Sequence, residues 1–229
     1  MEATDRYFLY VTDPMCSWCW GFSPVITALK ERFNLPVKVV AGGLSVGPAA
    51  RRMSRKMAQT IADHWHHVHD ASGQPFDHAI LDRDDWVYDT ELPNRALVAA
   101  REQDPDAALV ILERLHAAFY RDNIDITQLE PYAGIAGGMV PDVERFLADL
   151  TDDANKKATW EDFTFARQMG ISGFPTLLLS DDDQLALITR GYAPLDTLAE
   201  PIAAWLKQRD AQKQPALAQG AACDLDGNC

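Results

Sequence analysis

The sequence predicts an α/β protein in which a β-α-β unit and an α-β-β-α unit flank a long run of helices. Three observations predict it. An aromatic and β-branched run, Arg6 to Val11, is followed by a helical pattern and a second apolar run at 37–41. Strand-like runs then vanish between about 44 and 165, where amphipathic helical segments succeed one another. Beyond that stretch, a helix leads to Gly173-Phe174-Pro175, an apolar strand, a turn, a partner strand and a last helix.

Taken in order, Arg6 to Val11 reads as a buried strand. Val25, Ile26, Leu29 and Phe33 then repeat at helical spacing, with a kink expected at Pro24. Asn34-Leu35-Pro36 ends that helix, and Val37 to Ala41 forms the second strand, closed by Gly42-Gly43. Helices are expected at about 48–69, 91–103, 105–121, 127–137 and 141–150, with Pro93, Pro105, Pro131 and Pro141 near their starts. A further helix near 160 precedes a strand at 176–179, a turn at 180–183 and a hairpin partner at 185–188. Leu195, Leu198, Ile202 and Leu206 mark one face of a last helix over 195–207. This order is that of a thioredoxin-like core with a large helical domain inserted after the second strand. The expected division is a discontinuous core, 1–43 and 165–208, an inserted domain, 44–164, and a mobile tail, 209–229.

The 229 residues carry a net charge of −13, and 47% are hydrophobic. A sizeable core can form, while nucleic acid and anionic membranes are disfavoured as partners. The N-terminus carries two acids before a short apolar stretch, so no secretory signal is expected. No run of about 18 apolar residues exists to span a membrane. A cytoplasmic location follows as the expectation, with thiols mostly reduced.

Against that background the stretch Asp13-Pro14-Met15-Cys16-Ser17-Trp18-Cys19-Trp20-Gly21 stands out. A CxxC is read as half a zinc site, a redox dithiol or an inert pair. Structural zinc usually takes four ligands, and no second CxxC is present. After a strand and at a helix start, the first cysteine meets unpaired backbone N–H groups and the positive helix end, which favour the reactive thiolate. No metal is therefore assigned. Pro175 is read either as a cis-proline at the start of a strand beside the dithiol or as an ordinary trans proline.

The motifs DPMCSWCWGFSP, Tyr88-Asp89-Thr90-Glu91-Leu92-Pro93-Asn94-Arg95-Ala96 and GISGFPTLLL resemble those of the DsbA family of thiol-disulfide oxidoreductases, in its cytosolic FrnE-like branch. The resemblance covers about residues 6–207. It implies a protein dithiol-disulfide oxidoreductase or isomerase that needs no cofactor. Cys16 would be the attacking thiol, Cys19 the resolving thiol and Pro175 the cis-proline. Ser17, Trp18, Gly173 and Phe174 would line the groove for a protein or small-thiol disulfide, glutathione among them. The dipeptide between the cysteines is Ser17-Trp18, without the histidine of periplasmic relatives.

Two further features stay open at this level. Cys223 and Cys229 close the chain around a turn-forming Asp-Gly-Asn; they are read as unimportant thiols, as a second redox pair or as part of a four-thiolate site. His64, His66, His67 and His69, flanked by Asp63 and Asp70, crowd one helix and are read as a solvated or substrate-lining face, with an adventitious surface metal site as the alternative. Arg51, Arg52, Arg55 and Lys56 form the one basic patch, also read as solvated. Competing functions are a glutathione-dependent transferase or isomerase of the kappa class, which the CxxC disfavours, and a non-catalytic redox-sensing binding module.

Overall fold

The computed structural model describes residues 5–83, 86–182 and 184–213. A four-stranded sheet has the order β2-β1-β5-β6, built from β1 (Arg6–Thr12), β2 (Val37–Ala41), β5 (Thr176–Asp181) and β6 (Gln184–Arg190). β1 is parallel to β2 and antiparallel to β5, and β5 is antiparallel to β6. The β1 run is buried on both faces, as a central strand should be. Phe8 and Tyr10 join the large core under helix α1 (Ser17–Phe33), whereas Leu9 and Val11 pack with Ala166 and Ile171 on the other face. Register does the rest. Val11 pairs with Thr176, so the segment just before β5 lies beside the end of β1, where the CxxC turn begins.

Between β2 and the last helices lie a short ribbon, β3 (Arg51–Arg52) against β4 (Val87–Tyr88), and helices α2 (Arg55–Ser72), α3 (Glu91–Gln103), α4 (Ala107–His116), α5 (Tyr132–Ala136), α6 (Val143–Asp149) and α7 (Asp153–Gln168). The ribbon corrects the expectation that strands are absent there. Helix α2 begins at Arg55 rather than near 48 because Ser54 caps it, its hydroxyl accepting from Met57 N at 3.2 Å. Helix α7 starts at Asp153 and runs through the expected boundary at 164, capped by Asp152. Helix α4 ends in a wide turn in which Asp122 N donates to Ala117 O. The apolar faces of α2, α3 and α4 share one continuous core with β1 and α1. Gly21 lets α2 approach α1: a Cβ there would lie 2.9 Å from Val68.

Helix α1 continues through Pro24. A proline leaves the carbonyl four residues back without its helical donor. That carbonyl, Trp20 O, accepts instead from Gln74 Nε2 at 3.1 Å. The exposed backbone of edge strand β2 is covered in a similar way. Ala41 N donates to Asp162, and Arg101 donates to Val39 O while pairing with Asp162 at 2.8 Å.

Helix α8 spans Leu195–Lys213, so residues 209–213, expected to begin a mobile tail, are its last turn. The reason is electrostatic. The buried Asp181 at the end of β5 accepts from Arg6 (2.7 Å), Arg209 (3.0 Å) and Lys213 (2.5 Å). Burial opposes the charge on Asp181, but the hydrogen bonds from Arg6, Lys213 and Arg209 outweigh it and hold the carboxyl below its ordinary range. Its stabilisation is therefore present above the unfolded value near pH 3.9 and is lost as the pH falls below that. Asp181→Asn should destabilise the protein by roughly 2–4 kcal/mol at pH 7. In urea unfolding the gap to wild type should narrow progressively as the pH drops below about 4, with part of it still present at about pH 3 because the folded carboxyl titrates lower than the unfolded one; a gap that does not narrow at all between about pH 5 and pH 2 would mean the loss is not electrostatic.

Candidate functional site

Cys16 is the N-cap of α1, with extended backbone (φ −91°, ψ 111°). Its carbonyl accepts from Cys19 N at 2.9 Å and Trp20 N at 3.0 Å, and its own N–H donates to Asp13 O at 3.0 Å. This tight turn delivers the sulfur from β1 to the first turn of the helix. Both cysteines are free thiols; Cys16 is 6% exposed and Cys19 0%. Cys16 Sγ donates to Phe174 O at 3.5 Å, and the Phe174–Pro175 peptide is cis. Two residues 158 positions apart thus meet at the end of the sheet. Phe174 lies across Gly42, where a Cβ would come within 2.5 Å of its ring, so only glycine fits beneath it. Trp18 is partly exposed and packs on Tyr192, ring centroids 5.7 Å apart. Ser17 and Gly173 are also partly exposed, while Pro175 is buried. The described residues expected to act together therefore converge. Cys223 and Cys229 lie outside the described residues.

The thiols are not equivalent. Burial pushes the Cys19 thiol well above its ordinary range, and the neighbouring Cys16 pushes the same way; Thr12 pulls it down. Cys19 therefore stays protonated at neutral pH unless its surroundings change.

Below the turn sits a polar network that sequence reasoning missed. The fully buried Asp13 carboxyl accepts four hydrogen bonds: from Met15 N (2.9 Å), Leu44 N (2.7 Å), Thr90 Oγ1 (2.9 Å) and Asn94 Nδ2 (2.7 Å). Burial pushes this carboxyl above its usual range, and the four donors pull it back. Tyr88 donates through its hydroxyl to Met15 O. The stretch Tyr88 to Asn94 is thus a clamp on the CxxC turn. Glu91 in the same stretch pairs with Arg95 at 2.7 Å and accepts from Trp160 Nε1 at 3.1 Å. On the far side, the buried His116 touches Asp13 O through Nε2 (3.3 Å) and Ser23 Oγ through Nδ1 (2.9 Å). A carbonyl only accepts, so Nε2 carries the proton and Nδ1 accepts from Ser23. Burial lowers the His116 pKa to about 3, keeping the ring neutral. Motif spacing gave no signal for His116; only its neighbours in space do.

The His64, His66, His67 and His69 side chains are exposed on α2. His66 lies 4.9 Å from the His78 ring, and His69 Nδ1 meets Gln74 O at 2.8 Å. Among the described residues no group of three or more His, Cys, Asp or Glu is arranged to hold a metal ion, and no helix is long and apolar enough to cross a membrane. Arg51, Arg52, Arg55 and Lys56 are all exposed.

Residues 8–200 match a family model described as thioredoxin. A solved structure of a candidate protein disulfide isomerase from Nitrosomonas europaea is similar at 33% identity and TM-score 0.80, covering 89% of this chain and 98% of that one. The cytosolic disulfide reductase DsbM from Pseudomonas aeruginosa shares the fold, at 24% identity and TM-score 0.69, over 90% and 99% of the two chains. Among curated proteins, the ClpXP adapter protein SpxH of Bacillus subtilis is 27% identical over 72% of this chain and 55% of its own length. The chain spans just over half the length of the curated SpxH relatives first matched.

Two outcomes are expected from this geometry. Asp13→Asn turns an NH2 group against N–H and O–H donors whichever way it is placed. It should cost about 2–4 kcal/mol in urea unfolding, and a loss under 0.5 kcal/mol would show that the network relaxes freely. Brief alkylation of the native protein at pH 8 should label Cys16 first and leave Cys19 until the chain is unfolded; equal labelling of both would contradict the burial of Cys19.

Proposed function

Because the chain belongs to the thioredoxin family, we propose that it is a thiol-disulfide oxidoreductase acting through Cys16 and Cys19. The observation that carries the reading is the meeting of the N-cap thiol of Cys16 with the Phe174 carbonyl, beside Pro175, above a second thiol one turn on. The DsbA-like fold and the similarity to the Nitrosomonas protein support it. In this reading residues 1–43 and 165–208 carry the chemistry and residues 44–164 brace it.

Exchange then proceeds in two displacements. The Cys16 thiolate attacks a substrate disulfide R–S–S–R′, a Cys16–S–S–R bond forms, and R′S⁻ leaves. Cys19 attacks the Cys16 sulfur, the bond to R breaks, and the product is a Cys16–Cys19 disulfide. Two electrons pass to the substrate, and the two thiol protons end on R and R′. The reverse order oxidises a dithiol; attack followed by escape isomerises a disulfide. Ser17, Trp18, Gly173 and Phe174 flank the approach to Cys16, so an extended segment or a small disulfide is held there through backbone and ring contacts. Glutathione is a fitting small-thiol substrate, supported by a DsbM structure solved with it, and the cytosol a fitting compartment. Cys223 and Cys229, outside the described residues, would serve as a second redox pair.

A second reading, a binding module without turnover, draws on the SpxH relatives, which are described as adapters. Insulin reduction under a thiol reductant separates the two. Wild type should turn over, Cys16→Ser should lose at least about a hundredfold of the rate, and Cys19→Ser should accumulate mixed disulfides visible by intact mass. Full activity in Cys16→Ser, or no turnover by wild type, would overturn the enzymatic reading.

A further inference from the structure

Beside Cys19 the core contains two buried hydroxyls. Tyr10 Oη and Thr12 Oγ1 are fully buried, and among the described residues neither has a partner at good hydrogen-bonding geometry, although both sense the Cys19 thiol and Thr12 already lowers its pKa. Both belong to the face of β1 that looks at α1, since side chains two apart on a strand share a face. Tyr10 packs on Phe22 of α1, ring centroids 5.8 Å apart, and Phe22 is on the same inward side of the helix as Cys19. Cys19 is also the first charged group that Tyr10 would sense. A buried hydroxyl without a partner costs about 1–3 kcal/mol. A pair of them side by side, where valine and phenylalanine would pack as well, calls for an explanation.

We propose that Tyr10 and Thr12 are positioning residues for the resolving step: their hydroxyls are held in reserve as donors for the sulfur of Cys19 while it carries charge. The idea rests on the exchange reaction proposed above. In the resting dithiol, Cys19 is a thiol, a weak acceptor, and neither hydroxyl makes a full hydrogen bond to it. When Cys16 is tied to R in the mixed disulfide, Cys19 must lose its proton and attack. The S–S bond to R breaks, the Cys16–Cys19 bond forms, and the proton from Cys19 ends on the departing RS⁻, giving RSH. Charge builds on a sulfur from which water is excluded. Fixed donors aimed at it act there with no reorganisation. Ionised acceptors also make roughly twice the hydrogen bond of neutral ones.

Among the described residues no fixed cation does this work. The titratable groups that sense Cys19 are Cys16, Tyr10, Tyr88 and Tyr120. Asp13 lies at the end of β1, its carboxyl occupied by four other donors. His116 is held neutral and turned to Ser23 and the Asp13 carbonyl. Among the described residues the buried hydroxyls near the sulfur without a full partner are thus those of Tyr10 and Thr12 on β1 and that of Tyr120, and the two on β1 stand on the strand face that looks at α1.

The test separates the two displacements. Mixed-disulfide formation at Cys16 and its resolution by Cys19 are followed in single turnover by quenched-flow alkylation and intact mass, from pH 6 to 10. Thr12→Val and Tyr10→Phe should leave the first step unchanged. Each should slow resolution about tenfold and move the midpoint of its pH profile up by about one unit. Thr12→Ser, which keeps the hydroxyl, should restore both. Direct titration of Cys19 by thiolate absorbance in Cys16→Ala should show the same upward shift on removal of either hydroxyl. Resolution at the wild-type rate and midpoint in folded Thr12→Val and Tyr10→Phe would overturn this inference alone. Failure of Cys16 to form any mixed disulfide in wild type would instead overturn the functional reading beneath it.

Discussion

The carboxyl of Asp13 is the constraint on which the site depends. It is fully buried and, among the described residues, has no cation beside it, so its charge is tolerable only through its hydrogen bonds. Those come from three places: the CxxC turn itself, the loop after β2, and the first turns of α3. Holding one carboxyl therefore means holding three segments at once. The backbone of the same residue adds two more ties, to Cys16 N and to His116. The helical stretch after β2 is for this reason no appendage. It supplies Thr90, Asn94 and His116, and without them the turn that presents Cys16 would rest on an unsatisfied buried charge.

A second set of ties fixes the start of α1. Pro24 frees the carbonyl of Trp20, and Gln74 occupies it. Trp20 in turn donates through Nε1 to Pro75 O at 3.0 Å, so the segment after α2 grips this residue by both backbone and ring. Ser23 lies against Cys19 O and His116. The first two turns of α1 are thus held from the α2 end and from the α4 end, while the cis Phe174–Pro175 bond closes the third side. What remains open is the approach past Trp18, Ser17 and Gly173. A rigid turn with one accessible side suits a thiol that has to meet its partner at a defined angle.

Much of this was legible in the sequence. β1, β2 and α3 were readable because their patterns are strong: a both-faces-buried run, a β-branched run, and a Pro93 start with helical periodicity. The pairing of Cys16 and Cys19 was readable from the CxxC spacing after a strand, whereas the place of Pro175 beside them came from the element order and the family resemblance. The rest was hidden for physical reasons. The β3–β4 ribbon is two residues long on each side, too short for any period. The last turn of α8 looked like tail because its sequence has no apolar face; ion pairs with Asp181, far away in sequence, hold it. Thr90 and Asn94 are motif residues to which the sequence assigned no role, because their hydrogen bonds to Asp13 across 77 and 81 positions have no local signature. His116 sits in an apolar helix and reads as a core residue, which it is, except that its two nitrogens tie the turn to the helix.

The burial of Cys19 sets a problem that the fold has to solve. In the proposed exchange reaction, a thiol sealed from water would be protected from stray oxidants and from wrong partners, and a mixed disulfide at Cys16 would have one nearby nucleophile. The same seal raises the thiol's pKa and removes the solvent that would stabilise the thiolate. A cation beside it would lower the pKa permanently and make the resting dithiol reactive. A hydroxyl is different: it interacts weakly with the thiol and strongly with the thiolate, so it favours the charged state only once the reaction demands it. Strand β1 carries two such groups, Tyr10 and Thr12, beside the buried sulfur. Phe8, the next residue outward on the same face, is a plain hydrocarbon ring in the core. The change from hydrocarbon to hydroxyl along that face occurs as the strand approaches the buried sulfur.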